Sequence, residues 1–168
     1  MAEALSLPPV PAPPRGERLK NKVVVLTGAA QGIGEAIVAS FVSQQAKMVI
    51  SDIQAEKVEK VAAHWREQGG DVQAIKADVS RQADLHAMVA LAMELHGRVD
   101  VLVNCAGVNV FRDPLEMTED DWRRCFAIDL DGAWYGCKAV LPQMIEQGVG
   151  SIINIASTHS SHIIPGCF

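Results

Sequence analysis

A chain of 168 residues has the length of a single domain, long enough to bury a sizeable core. Apolar residues make up 49% and charged residues 21%, a globular balance that is neither disordered nor membrane-like. The net charge is −5, and no run of lysine and arginine exceeds two, which argues against a nucleic-acid surface. No apolar run reaches the ~18 residues of a membrane span.

The four cysteines, Cys105, Cys125, Cys137 and Cys167, form no C-x-x-C pair and lie in or beside apolar segments. They read as reduced thiols, and the expected location is cytoplasmic. Five prolines fall between Pro8 and Pro14 with no uninterrupted apolar stretch, so residues 1–21 are not a signal peptide. They read as a polyproline-type arm, either a flexible tail or an oligomer arm, with a ligand for a proline-binding module as the alternative. Residues 22–168 are then one domain.

That domain starts with the apolar run 23–26, VVVL, followed by Thr27 and glycines at Gly28, Gly32 and Gly34. Consecutive β-branched residues bounded by glycine suit a strand buried on both faces of a parallel sheet. A helix is expected over 32–45, burying Ile33, Ile37 and Phe41. Residues 47–51 (KMVIS) make a second strand ending at Asp52. A helix over 55–68 carries Val58, Val61, Ala62 and Trp65 at helical spacing, and Gly69-Gly70 stops it. Residues 71–76 form the third strand. Ser80 is expected to cap a helix through Leu85, Met88, Val89 and Ala92 that ends near Gly97. Residues 99–103 form the fourth strand. Thr118 and Asp121 resemble a capping box opening one long helix over 119–147, bent near Gly132 and Pro142. Residues 151–155 form the fifth strand.

Alternating strands and helices imply right-handed crossovers and an α/β, doubly wound parallel sheet of order 3-2-1-4-5 (a Rossmann fold). Its ligand crevice lies where the strand order reverses. The three glycines divide the work there. Gly28 turns the chain, Gly32 lets backbone approach a pyrophosphate, and Gly34 lets the helix pack closely on the strand. The helix N-terminus favours the anion. Asp52, about 20 residues on, suits a ribose diol, and it would repel a 2′-phosphate. Ile53 is not basic, and Gln31 stands where a cation could neutralise such a phosphate, so NAD is favoured over NADP. The alternative for Asp52 is a solvated carboxylate capping a turn. Asp129 lies seven residues after Trp122 on the stripe Trp122, Phe126, Ala133, Val140. A carboxylate on a buried stripe is costly unless it is paired, which argues for a placed role.

The pattern T-G-x-x-x-G-x-G at 27–34, with N-C-A-G at 104–107 and N-I-A-S at 154–157, resembles the short-chain dehydrogenase/reductase family. The likeness runs through nearly all of the chain from Lys22. It implies hydride transfer between an alcohol or ketone and a nicotinamide cofactor. Residues expected to hold the cofactor are Gly28, Gln31, Gly32, Ile33, Gly34, Asp52, Ile53, Asp78, Val79, Asn104, Ala106 and Gly107. Asp78 and Val79 flank the adenine in the family, although a turn capped by Ser80 explains the same pair. Cys105 replaces the second Asn of the family's N-N-A-G, a loss that weakens the structural part of that motif more than the binding part.

The resemblance makes Ser157 the serine that orients the substrate oxygen, with a loop serine of no role as the alternative. It sets Asp129 where the family has an Asn whose main-chain carbonyl holds a relay water. A main-chain role survives that change, and an ion pair with a neighbouring cation is the alternative. His159 and His162, spaced H-x-x-H, lack further metal ligands, so no metal is expected. The family's catalytic Tyr and Lys, in Y-x-x-x-K, come about a dozen residues after the serine, beyond Phe168. The one tyrosine, Tyr135, has Lys138 three residues on rather than four. As written, the 168 residues are expected to be a piece of a longer dehydrogenase and not to turn over alone.

The runs D-L-D-G-A-W-Y-G and N-I-A-S-T-H resemble members acting on sugars or polyols. The parent is expected to be a homo-oligomer acting on a small molecule, with no nucleic-acid or membrane partner. A non-catalytic NAD-sensing module and an S-adenosylmethionine-dependent methyltransferase on the same sheet are the rival readings. The fifth strand is expected to leave an apolar sheet edge prone to aggregation.

Overall fold

The computed structural model describes residues 13–113 and 115–157. In chain order the elements are β1 (Val23–Thr27), α1 (Gly32–Ser43), β2 (Lys47–Asp52), α2 (Ala55–Glu67), β3 (Val72–Lys76), α3 (Gln82–His96) and β4 (Val101–Asn104). There follow α4 (Glu119–Phe126), a π-helical turn (Ala127–Asp131), α5 (Gly132–Gln147) and β5 (Ser151–Asn154). The five strands form one sheet of order β3-β2-β1-β4-β5, and all four pairings are parallel. That is the doubly wound order the alternating pattern predicts.

Side chains alternate across a strand, and β1 uses both faces. Val23 and Val25 pack with Leu85, Met88, Val89 and Ala92 of α3 and with Ala139, Val140 and Met144 of α5. Val24 and Leu26 pack on the other side with Val38 of α1 and Val58, Val61 and Ala62 of α2. Every β1 residue is buried, which is why its sequence shows no polar alternation. Among the described residues, no helix is long and apolar enough to cross a membrane.

At the amino ends of the strands the sheet is tied by Asp100, which is only 5% exposed. Its carboxylate accepts from Val23 N (2.9 Å) and from Arg98 Nε and a terminal guanidinium nitrogen (2.8 and 2.6 Å), with Lys22 Nζ at 3.4 Å. Burial pushes that carboxyl up. The Arg98 hydrogen bonds, the Val23 N–H and the two cationic charges outweigh it and hold the group below the ordinary carboxylate range.

Several local expectations are corrected. Ile33 is 64% exposed rather than buried, at the start of α1 beside the cleft; Gly34 and Val38 are the buried positions of that helix. Ser80 does not cap α3, whose N-cap is Arg81; its hydroxyl donates instead to Asp78 Oδ1. The single helix over 119–147 is interrupted at Ala127–Asp131, before Gly132, while Pro142 stays inside α5. The extra residue of a π-turn re-phases the helix. Trp122 and Phe126 are consequently off the core at 45% and 41% exposure, and Asp129 is exposed rather than on a buried stripe. The Thr118–Asp121 capping box is present with both reciprocal hydrogen bonds.

Packing begins before Lys22. Gln44 Nε2 donates to Pro14 O (2.7 Å), Gly16 N to Ser43 O (2.9 Å) and Leu19 N to Gln44 O (3.0 Å), and Leu19 rests on the α1–α2 side of the core. The prolines before residue 13 lie outside the described residues.

Candidate functional site

The strand order reverses between β1 and β4, and the carboxyl ends of these two strands are stitched by one side chain. Thr27 is buried, and its Oγ1 accepts from both Cys105 N (3.1 Å) and Ala106 N (3.2 Å). The Thr of the glycine motif thus holds two amides of the N-C-A-G segment, a link the sequence reading did not draw. The close approach requires Gly28. It has φ +71°, and a Cβ there would stand 2.6 Å from Ala106 Cα.

Beyond this seam lies a cleft of about 710 Å³, in the usual range for a small-molecule site. Its floor is the glycine turn: Gly28, Gln31, Gly32, Ile33 and Gly34 all line it. A Cβ on Gly34 would strike Gly28 O, so the helix start lies directly on the turn. A Cβ on Gly32 would meet nothing within 4 Å, so the space over that backbone is open to a ligand. No side chain caps α1, whose first-turn amides have no side-chain acceptor. An exposed Ile33 is an apolar wall of the cleft, which accounts for a residue that seemed to belong in the core.

Asp52 and Ile53 line the cleft at the end of β2. Asp52 Oδ2 accepts from Ala30 N (3.1 Å) and Oδ1 from Gln54 N (2.9 Å). The carboxylate is therefore fixed against both the glycine turn and the start of α2, with lone pairs remaining for a diol. Asp78 and Val79 line it at the end of β3, where Asp78 Oδ1 accepts from Ser80 N (3.0 Å) and Oγ (2.6 Å). The turn-cap geometry and the cleft position hold together at this pair.

Ala106 and Gly107 are in the cleft and Asn104 is not. The Asn104 side chain turns to α5 and β5, where Nδ2 donates to Asn154 Oδ1 (2.8 Å) and Ala133 O (3.3 Å). Asn104 therefore performs the structural work of the motif through its side chain, and Cys105, which replaces an amide, is the residue that faces the cleft. This reverses the expected division. Burial pushes the Cys105 thiol up, so it stays protonated at neutral pH.

Asp129 does not line the cleft either. Its Oδ1 accepts from Val108 N (2.9 Å), and Cys125 Sγ lies 3.4 Å from Oδ2. It tethers the loop after β4, and that loop forms the cleft wall through Gly107 and Val108. Ser157 is exposed, three residues past β5, and is not among the lining residues, whereas its neighbour Ile155 is. His159 and His162 lie outside the described residues. The lining residues that sequence reasoning missed include Gln54, Ser80, Arg124, Ala127, Ile128 and Ile155. No residue type or spacing in the sequence singled them out.

The family model described as short chain dehydrogenase matches residues 22–167. The chain is 37% identical over 150 residues to the 2-(R)-hydroxypropyl-CoM dehydrogenase of Xanthobacter autotrophicus, covering 87% of this chain and 60% of that protein. It is 41% identical over 140 residues to the meso-2,3-butanediol dehydrogenase of Serratia marcescens, covering 83% and 55%. A short chain dehydrogenase/reductase from Burkholderia phymatum, solved in complex with NAD, superposes with a TM-score of 0.85 at 29% identity, over 89% of this chain and 53% of that one. The chain thus spans a little over half the length of these proteins. A glycine turn seated at the strand-order reversal, and a family match over the whole of the described sheet, place this chain in the short-chain dehydrogenase family.

Proposed function

We propose that the protein is an NAD-dependent oxidoreductase that interconverts an alcohol and a ketone on a small molecule, a vicinal diol or polyol. The observation that carries this is the open cleft over the glycine turn, with Asp52 fixed at one end by Ala30 N and Gln54 N. The residues fit a dinucleotide. Open backbone at Gly32 and the uncapped α1 amides would take the pyrophosphate. Asp52 would accept from the ribose hydroxyls and disfavour a 2′-phosphate, and Asp78-Val79 would flank the adenine. Bound NAD supplies the hydride acceptor or donor.

This chain's own residues then orient and shield. Ala106, Gly107 and Val108 wall the cleft, and Asp129 holds that wall in place through Val108 N. Its main-chain carbonyl is assigned to the proton-relay water. Ser157 is assigned to the substrate oxygen. The proton itself would pass through the Tyr–Lys pair that the family resemblance sets after Ser157, outside these 168 residues. The diol class is supported by the butanediol dehydrogenase relative. Cytoplasmic location and homo-oligomerisation complete the reading, supported by the free thiols Cys105, Cys125 and Cys137 and by the exposed Trp122, Phe126 and Trp134.

Calorimetric titration of the 168-residue chain with NAD, NADP and S-adenosylmethionine tests this. NAD is expected to bind tightest, with Asp52→Ala weakening it about tenfold, the value of about one hydrogen bond to a charged group. Tighter binding of S-adenosylmethionine than of NAD would overturn the reading.

A further inference from the structure

The charges around the cleft are unevenly placed. Asp52 and Asp78 sit at the ends of β2 and β3, and each carboxylate is fixed by hydrogen bonds from neighbouring residues. Arg124 is the one cation among the described lining residues, and it stands on the opposite wall. That wall is built by helical spacing: Arg124, Ala127 and Ile128 fall at i, i+3 and i+4 and all line the cleft.

The neighbouring arginines have partners. Arg123 is tied to Glu119 through two hydrogen bonds (3.2 and 2.6 Å), and Arg112 Nε lies 3.2 Å from Asp121. Arg124 makes no hydrogen bond or ion pair with a described residue; its charge only adds, as the last of several influences, to the lowering of the Asp121 carboxyl. Nor does it serve a helix C-terminus. Ala127 N already donates to Arg124 O, and α4 continues through the π-turn into α5. Arg124 is exposed on the cleft wall, and its guanidinium offers a planar fork of donors suited to an oxyanion.

We propose that Arg124 is an anion-binding residue of the cleft, taking an oxyanion of the bound molecule: a phosphate of the dinucleotide or a carboxylate of the substrate. This rests on the dinucleotide reading above. It adds a positive anchor to a site whose other charged residues are acidic.

The test is calorimetry on the full 168-residue chain, comparing wild type, Arg124→Gln, Arg124→Lys and, as a control, Arg123→Gln. The probes are NAD, ADP-ribose, adenosine, inorganic pyrophosphate and, on NAD-loaded protein, pyruvate. If the oxyanion is the cofactor's, Arg124→Gln weakens NAD, ADP-ribose and pyrophosphate about tenfold and leaves adenosine unchanged. Lys partly restores the loss, and Arg123→Gln has no effect. If it is the substrate's, cofactor affinities hold and pyruvate binding alone is lost. Unchanged binding of every anion, or a parallel loss of adenosine, overturns the proposal. Wild-type protein that fails to bind NAD defeats the dinucleotide reading instead, and the pyrophosphate titration still decides the role of Arg124.

Discussion

In the β1–α1–β2 unit every residue of β1 is buried, four of the six in β2 are buried, and the first turn of α1 has no room for a side chain at Gly34. In the α4–α5–β5 region the large apolar side chains of Trp122, Leu130, Trp134 and Ile145 are exposed, and β5 has no buried residue. The first unit is closed by its own chain: α1, α2, β2 and β4 all cover β1. The second packs only its inner face, through Ala139, Val140 and Met144 against α3 and the sheet. The difference separates two kinds of constraint. Around the glycine turn, geometry allows one residue type. On the α4–α5 surface no such steric demand fixes the residue type.

The largest expected effect is at the turn. Gly34→Ala forces a Cβ into Gly28 O, and overpacking of this kind costs about 1–3 kcal/mol. Urea denaturation should show the loss, together with abolished NAD binding. Trp134→Ser in the other region should change stability by no more than about 0.5 kcal/mol, as exposed substitutions do. An equal loss in both would end the comparison.

A similar cost is expected at the opposite end of the sheet. Asp100→Ala leaves Val23 N–H buried without its acceptor, worth about 1–3 kcal/mol at pH 7. Because the folded carboxyl lies below its ordinary value, the wild-type advantage is full above the unfolded carboxylate pKa and disappears as pH falls through the lowered folded one. Denaturation curves of both proteins from pH 7 to pH 2 should therefore draw together towards the acid end, leaving the part of the loss that comes from the unpaired Val23 N–H.

Self-association sharpens the comparison from the other side. Among the described residues β5 is an edge of the sheet beside the exposed face of α4 and α5, and sedimentation should show oligomers or aggregates. Trp134→Ser should reduce them; a stable monomer of wild type would contradict the expectation. The smallest effect is chemical. Cys105, with its thiol pushed up by burial, should alkylate more slowly than an unfolded cysteine, and NAD should slow it further. Mass spectrometry of the labelled peptide reads this directly.

The fold was legible because both sources of its pattern are local. Apolar runs such as VVVL and helical spacings such as Val58, Val61, Ala62 and Trp65 reflect burial that the sheet order then satisfies. The cleft was legible where backbone demands a residue, at Gly28, Gly32 and Gly34, and where strand ends carry a carboxylate, at Asp52 and Asp78. It was not legible on α4. A π-turn leaves no composition signature, so the rotation that exposes Trp122 and Asp129 and turns Arg124, Ala127 and Ile128 to the cleft was hidden.

By itself the sequence determined the sheet order, the position of the glycine turn and the acidic residue that faces it, since these follow from periodicity and from the steric needs of single residues. Only the tertiary structure decided which way side chains at the strand ends turn. Asn104 went to Asn154 and α5 while Cys105 went to the cleft, and Thr27 became the link between β1 and β4. Neighbours in sequence carry no record of such choices, because the partners that satisfy them lie about 30 to 80 residues away.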